Sequence, residues 1–576
     1  MCIRGKRIEV GLSAFNAVID KKRYFVDKTR FIKEIVNSAH VSLITRPRRF
    51  GKTLTMSMLK CFLEMNYQNP SDRSRHYSLF DGLDISKDSD FCDKNMGRWP
   101  VIAITFRGIE GKNFERAFGL LKDLLVETAH KYYFLKESIN LTQEERRRYL
   151  EILSLNELSG ESAYRVTVKA LSTLESLLAA HCGRSVFLLI DEYDVPLQKA
   201  RTGHYYDEML ELIRGMFGMA FKDAEFLEAA VLTGCLRLAK ESIFTGTNNF
   251  RTFDVSNPAM GGMLGFTEGE VKDILKDFGI LSQADIVREH YDGYRFGNQE
   301  IYCPWDVMNY CADAVQNAQA KPKNYWNDTS GNDIIREFFD YADDENYLEK
   351  VGALLKGDFV SARVDEQISF VELNRKHSID QFLSILYSTG YLTNVGYTED
   401  GLGLLKIPNK EIHDCFERQI GIYFSAENNR YVADAENLFK ALLKGAAGEA
   451  EDILNWYLRR YVSVRDAGGE SFYHGFTLGL LSSGKPSQGR GSLTSNKESG
   501  DGFSDILFTD GRNSTGVILE LKRAASSEPA DLLKSCDVAL EQIERKRYAD
   551  AMMSYDTVRC FGIAFAGKTC MVKLKR

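Results

Sequence analysis

The stretch SLITRPRRFGKTLT, residues 42–55, passes from an apolar run through Arg46, Arg48 and Arg49 to Gly51-Lys52-Thr53. A phosphate-binding loop ends this way. Backbone N–H groups and a helix N-terminus surround the phosphate, Lys52 neutralises the β/γ-phosphates, and the Thr53 hydroxyl holds Mg²⁺. Leu54, Met58, Cys61, Phe62 and Met65 follow at helical spacing, which places a helix directly after the loop. Five residues before Gly51, where the standard motif has glycine, stands Arg46. Pro47 fixes its own φ and keeps Arg46 extended, so the turn can be made another way. On Gly-Lys-Thr alone, a nucleotide site and a basic turn without a ligand are equally good readings.

Working outward, four β-type runs alternate with helical patterns: HVSLIT (40–45), PVIAITF (100–106), SVFLLI (185–190) and EAAVLTG (228–234). That alternation predicts an α/β fold, a parallel sheet with crossover helices. Between the second and third runs lies a polar excursion, including QEERRRYLEIL, whose charges read as a solvated helix face. The third run ends in Asp191-Glu192. Two carboxylates at the tip of a buried strand are expensive unless they serve something. Asp191 is assigned to the Mg²⁺ carried by Thr53, and Glu192 to the attacking water, as orienting group and base. With these on a later strand, the nucleotide reading prevails. The fourth run ends in Thr233, a candidate sensor group, with Arg237 beyond it. Arg237 reads equally as a cation near the γ-phosphate and as an ordinary basic helix start.

The chain has 576 residues, enough for two or three domains. Its net charge of −7 leaves no global electrostatic footprint for nucleic acid, so any such binding must come from local basic patches. Eleven cysteines occur with no Cys-x-x-Cys pair and an odd count, so neither a zinc module nor a disulfide framework is suggested. The opening MCIRGKRIEVGL has no apolar signal core, and no run approaches the ~20 apolar residues of a membrane helix. A cytoplasmic protein without a membrane partner is expected.

Thr267 and Glu270 have capping-box spacing, so a helix starts there. SIDQFLSILYSTGYLTNVGYTEDGLGLLKIPN (378–409) reads as a helix and a hairpin turning at Glu399-Asp400-Gly401, compatible with a winged helix or a plain lid. A pair of amphipathic helices follows, in AENLFKALLKGAAGEAEDILNWYLRRYV. The Ser-, Gly- and Lys-rich segment 482–502 reads as a flexible surface loop.

Near the C-terminus, FSDILFTDG and GVILELKRA read as adjacent strands. Alternation puts Ile518, Glu520 and Lys522 on one face of the second, with Asp505 at the start of the first. Two carboxylates and an ammonium so placed suit metal-dependent phosphodiester cleavage, although a solvated strand face produces the same pattern. Glu470 and His474 lie one turn apart on a preceding helix. ALEQIERKRY, with Gln542, Arg545, Lys546, Arg547 and Tyr548, forms an amphipathic helix after the strands.

YFVDKTRFIKEIV, LITRPRRFGKTL, LLIDEYDVPL and TGCLRLAKESIF together resemble an AAA-ATPase-like family whose members often carry a PD-(D/E)XK nuclease-like tail. The resemblance continues through YRFG, YCPWDV and YWNDTSGN. It implies that the Arg-Pro-Arg-Arg-Phe-Gly-Lys-Thr form is usual, making residues 46–53 (Arg46, Pro47, Arg48, Arg49, Phe50, Gly51, Lys52, Thr53) the nucleotide loop, with Asp191 and Thr233. For the tail it implies Asp505, Glu520 and Lys522 as the central triad, Glu470 as a further metal ligand, and Gln542 and Tyr548 as accessory positions. Phe503 stands where the family often has an arginine, a departure that bears on cleavage. The expected domains are an ATPase-like domain (1–265), a helical region (266–430) and a nuclease-like domain (431–576). ATP, Mg²⁺ or Mn²⁺, and DNA are the expected cofactors and partners, with homo-oligomerisation left open and a role in host defence or mobile-element biology. A nucleotide switch whose tail binds without cutting is the alternative.

Overall fold

The computed structural model describes residues 7–222, 224–237, 250–317, 319–326, 350–351, 353–365, 378–416, 419, 431–461, 470–483, 493–499, 502–510, 515–552 and 554–575. The chain divides into two compact units, Met1–Lys323 with Arg363–Asn394, and Asn324–Ala362 with Val395–Arg576.

The first unit is built on β1 (Val41–Thr45), β2 (Val101–Thr105), β3 (Val186–Asp191), β4 (Leu227–Gly234) and β5 (Phe250–Phe253), in the order β2-β3-β4-β1-β5. Every neighbouring pair is parallel. β1 to β4 are mostly apolar, as strands of a parallel sheet with helices on its faces are. Their C-terminal ends therefore share one edge, where ligands of open α/β sheets bind. Insertion of β4 between β1 and β3 pairs Thr45 with Gly234 and Leu232 with Ile190. The loops after β1, β3 and β4 thus emerge side by side.

Each of the four expected strands is found within a residue or so of its expected bounds. β5 was not expected: FRTF is four residues long, with two of its side chains half-buried and one exposed, so it carries no long apolar run. Gln143–Leu153 is a helix started by a Thr142/Glu145 capping box, and Arg147 pairs with Glu144 and Glu151 on its solvated face. The Thr267/Glu270 capping box opens Glu268–Asp277. Beyond it lies the hairpin of β6 (Tyr294–Phe296) and β7 (Gln299–Ile301).

After the helix Ile379–Thr389, β9 (Thr393–Tyr397) and β10 (Gly403–Lys406) form the expected hairpin, with Gly401 at φ +78°, and β8 (Val360–Ala362) pairs with β10. The amphipathic pair is Tyr431–Lys444 and Ala447–Tyr461.

The C-terminal sheet runs β11 (Leu493–Ser499), β12 (Gly502–Asp510), β13 (Thr515–Arg523), β14 (Thr557–Ala566), β15 (Thr569–Leu574), in sequence order. β13 and β14 are parallel, with the helix Pro529–Arg545 crossing between them; the other pairs are antiparallel. Val517, Leu519 and Leu521 enter the core shared with the helices of 431–483, while Ile518 packs with Leu540, Ile543 and Tyr548 on the opposite face. Part of the segment read as a surface loop is therefore a strand. LTSNKES is held to β12 by backbone pairing, which its polar side chains do not advertise. Residues 484–492 of that segment lie outside the described residues.

Gly562 pairs with Glu520 on β13, and a Cβ there would come within 2.4 Å of the Cys536 carbonyl oxygen. The helix Pro529–Arg545 thus lies directly on β14. Gly562→Ala is expected to push it outward and cost about 1–3 kcal/mol, read as a lower urea midpoint for the C-terminal unit.

Candidate functional site

The first site begins at the end of β1. Arg46 extends the strand, its N–H donating to the Gly234 carbonyl at 3.1 Å. Its guanidinium turns inward and is fully buried. Nη1 donates to the carbonyls of Thr45 (2.8 Å) and Phe253 (2.9 Å), Nη2 to that of Met260 (3.2 Å), and the group lies over the Phe296 ring at 5.0 Å. Burial pushes its pKa down to about 10. Arg46 therefore braces the loop from behind. Phe50 is buried against Tyr294 and Phe296, each ring 5.0 Å away, and Arg49 lies over Trp305 at 5.5 Å. The aromatic motifs YRFG and YCPWDV form the seat of the loop.

Arg49 and Gly51 both take left-handed backbone, at φ +71° and +82°, and the helix Lys52–Leu63 starts directly after them. Lys52 Nζ donates to the carbonyls of Arg46 and Pro47, both at 2.8 Å, and lies 3.7 Å from Cys235 Sγ. Thr53 Oγ1 donates to Asp191 Oδ2 at 2.7 Å, and the Thr233 hydroxyl donates to Oδ1 of the same carboxylate. One buried carboxylate thus joins the loop helix, β3 and β4. Glu192 follows at φ +54°, a strained conformation for a side-chain-bearing residue, and the Tyr193 amide returns to the Thr233 carbonyl. Burial raises the Glu192 pKa, as do Asp191 and Asp194, while Lys52 and Arg107 oppose them.

Asp194 escaped the sequence reading. Its Oδ2 accepts from the amides of Cys235 and Leu236, both at 2.9 Å, fixing the turn after β4. A Cβ on Gly234 would come within 2.7 Å of this carboxylate, so only glycine fits. The available signal was the second aspartate of LLIDEYDVPL. Arg237 lines a small cavity with Thr45, Asp254, Val255, Ser256, Tyr387 and Ser388.

The second site lies on the β12–β13 pair. The β12–β13 pairing runs from Asp510–Thr515 to Ile506–Leu519; beyond it, Asp505 Oδ2 accepts the Leu521 amide at 2.8 Å. His474, buried on Glu470–Ser483, meets the Asp505 carbonyl through Nε2 at 2.9 Å. Lys522 Nζ donates to Glu520 Oε1 at 3.1 Å. Glu520 is 1% exposed, and its Oε2 has no hydrogen-bond partner among the described residues. Burial, then the nearby Asp505, pushes its pKa up to about 7 against the pull of Lys522. A buried carboxylate oxygen facing a second carboxylate fits a divalent cation.

Gln542 Nε2 donates to the Tyr548 hydroxyl at 3.4 Å; the Tyr548 pKa is raised by burial and by Glu520 and Asp505. Both accessory positions therefore border the carboxylates. The side chains of Glu470 and Phe503 lie outside the described residues. Arg545 ends its helix, and Arg547, at φ +54°, pairs with Asp550 at 2.8 Å.

The two sites define a P-loop α/β domain and a nuclease-like α/β domain in one chain. Residues 9–244 match the family model of a predicted AAA-ATPase, AAA-ATPase-like, and residues 468–575 match the PD-(D/E)XK nuclease superfamily. An uncharacterized protein in the vnfD 5′ region of Azotobacter chroococcum mcd 1 is 24% identical over 307 residues, 53% of this chain and 51% of that protein. The chain thus spans about half the length of the curated relative it matches. A STAND protein (Signal Transduction ATPase with Numerous Domains) with a tetratricopeptide repeat sensor, from Pyrococcus horikoshii, superposes at TM-score 0.23 with 9% identity. That match covers 80% of this chain and 52% of the other, too weakly to bear on function. No described helix is long and apolar enough to cross a membrane.

Arg46→Ala is expected to leave three backbone carbonyls without their donor inside the core and to cost about 3–5 kcal/mol. Thermal unfolding of purified protein reads this as a lowered melting temperature; an unchanged value removes the bracing role.

Proposed function

We propose that the first unit binds and hydrolyses ATP and that the tail is a metal-dependent DNA endonuclease governed by the nucleotide state. The observation that carries the ATPase reading is the bond from Thr53 to Asp191, the pairing expected of a magnesium-holding threonine and its aspartate. Lys52 exchanges the Arg46 and Pro47 carbonyls for the β/γ-phosphates. Mg²⁺, held by Thr53 and Asp191, supplies charge neutralisation when bound. Glu192, its carboxyl pKa raised, orients the water and accepts its proton. Thr233 fixes Asp191 and, through it, the geometry of β4.

In the tail, Asp505 and Glu520 would hold a Mg²⁺ or Mn²⁺ ion, which when bound would supply Lewis-acid stabilisation at the phosphate. Lys522 sits beside them to orient water or stabilise developing charge, with Gln542 and Tyr548 at the rim. The alternative is a tail that binds nucleic acid or protein without cutting. The cytoplasm, and host defence or mobile-element biology, remain the proposed setting. A small-molecule kinase is a distant third reading, since the long nuclease-like extension has no role in it.

Lys52→Ala is expected to weaken ATP binding by a few kcal/mol, about 1.5–3 for a charge-assisted contact, as read by calorimetry. Glu192→Gln should bind ATP normally and turn it over slowly. Equal ATP affinity in Lys52→Ala and wild type would sink the site assignment.

For the tail, Asp505→Ala and Glu520→Gln are expected to abolish Mn²⁺-dependent cleavage of DNA. Both should also lose the rise in melting temperature that Mn²⁺ gives the wild type, a readout independent of catalysis. Wild-type protein that binds DNA yet cuts no duplex, single-stranded or branched substrate, with or without ATP, selects the binding-only tail.

A further inference from the structure

Three arginines stand within four residues of the loop, and they have three different surroundings. Arg46 is buried under Phe296 and Arg49 lies on Trp305. Arg48 is half-buried and turns toward β3 and β4. Its Nη2 donates to Gln198 Oε1 at 3.2 Å, and Gln198 belongs to Val195–Thr202, the helix that begins directly after Asp191-Glu192-Tyr193-Asp194.

The backbone fixes where this guanidinium starts. The Pro47 carbonyl, one peptide before Arg48, is 2.8 Å from Lys52 Nζ. Arg48 therefore leaves the loop beside the ammonium assigned to the β/γ-phosphates. Cys235, 3.7 Å from the same ammonium, marks the β4 side of the space. Burial works against the charge of Arg48, yet Cys235, Tyr391, Asp194 and Glu192 raise its pKa above the ordinary arginine value. The guanidinium held by Gln198 is thus within electrostatic reach of Glu192 and Asp194.

We propose that Arg48 is an arginine finger supplied by the loop itself, stabilising charge on the γ-phosphoryl group during hydrolysis, with Gln198 as its positioning residue. This rests on the ATPase reading above. In the step, the water oxygen bonds to the γ-phosphorus and the bond to the β,γ-bridging oxygen breaks, its electron pair leaving with ADP. The water proton passes to Glu192. Arg48 transfers no proton; its planar fork meets oxygens whose charge grows as the bond breaks. Gln198 holds the guanidinium without neutralising it, as a carboxylate would. Arg237, lining the cavity with Asp254 and Tyr387, is not needed for this role.

The test measures ATP turnover and ATP affinity separately in the full chain, for wild type, Arg48→Ala, Arg48→Lys and Gln198→Ala. Arg48→Ala is expected to lower kcat about 10³-fold, the low end of the range known for such arginines, with the Kd for ATP nearly unchanged. Wild type should trap ADP with aluminium fluoride and Mg²⁺, a planar mimic of the transferring phosphoryl group, and Arg48→Ala should not. Arg48→Lys keeps the charge but not the fork and should recover only part of the turnover. Gln198→Ala should lower kcat less than Arg48→Ala, again without changing Kd. Melting temperatures matching wild type exclude a folding explanation. Wild-type turnover with an unaffected Arg48→Ala, or an affinity loss as large as the kcat/KM loss, overturns this proposal alone. A wild type that binds ATP and never hydrolyses it overturns the ATPase reading and this proposal with it.

Discussion

The buried guanidinium of Arg46 is the constraint around which the first unit is arranged. A charge wholly removed from water costs several kcal/mol unless hydrogen bonds replace its hydration. Here three carbonyls do so, from Thr45, Phe253 and Met260. Those acceptors belong to β1, β5 and the turn after β5, so the bonds that satisfy the charge also fasten the edge strand to the loop strand. Glycine at this position would leave the carbonyls without a donor and Phe296 without its cation. The departure at residue 46 is thus a different construction of the same turn, in which a side chain supplies from behind the rigidity that a tight glycine turn supplies in front.

That construction has a consequence for the loop's reactive side. With Arg46 held inward and Phe50 seated on Tyr294 and Phe296, the peptides from Pro47 to Gly51 have little freedom. The left-handed residues Arg49 and Gly51 precede Lys52, whose ammonium meets the loop's own carbonyls, the contacts that the proposed phosphate oxygens would replace. Asp191 closes the other side by accepting from Thr53 and Thr233 together. The insertion of β4 between β1 and β3 makes this single-carboxylate link across three elements achievable.

Much of this was legible in the sequence, and the exceptions have physical causes. The four long strands of the first sheet declare themselves because most of their positions are buried and the runs are mostly apolar. β5 and β11 do not, since a short or edge strand is held by backbone pairing, which leaves no trace in side-chain pattern. Lys52, Thr53 and Asp191 were singled out because the chemistry proposed for them dictates residue type and spacing, and the structure brings Thr53 and Asp191 into hydrogen-bond contact. The inward turn of Arg46 was not, because its partners are carbonyls and an aromatic ring more than two hundred residues away in sequence. Asp194 was visible as a letter, but its task depends on where the turn after β4 lies.

The second site shows the same economy of strand geometry with the opposite electrostatic outcome. Alternation along β13 sends Val517, Leu519 and Leu521 to one core and Glu520 and Lys522 to the face of Ile518, which the helix Pro529–Arg545 partly covers. Asp191 has two hydroxyl donors, whereas Glu520 has one lysine and an unpartnered oxygen beside Asp505. The first carboxylate is satisfied by protein; among the described residues, the second keeps one oxygen without a hydrogen-bond partner. Apolar packing on both sides fixes that arrangement in place, because β13 cannot slip by one residue without exchanging Leu519 and Leu521 for Glu520 and Lys522 in the core. The fold therefore holds that oxygen at one point on one strand, where the proposed divalent cation would meet an oxygen ligand of the kind it prefers.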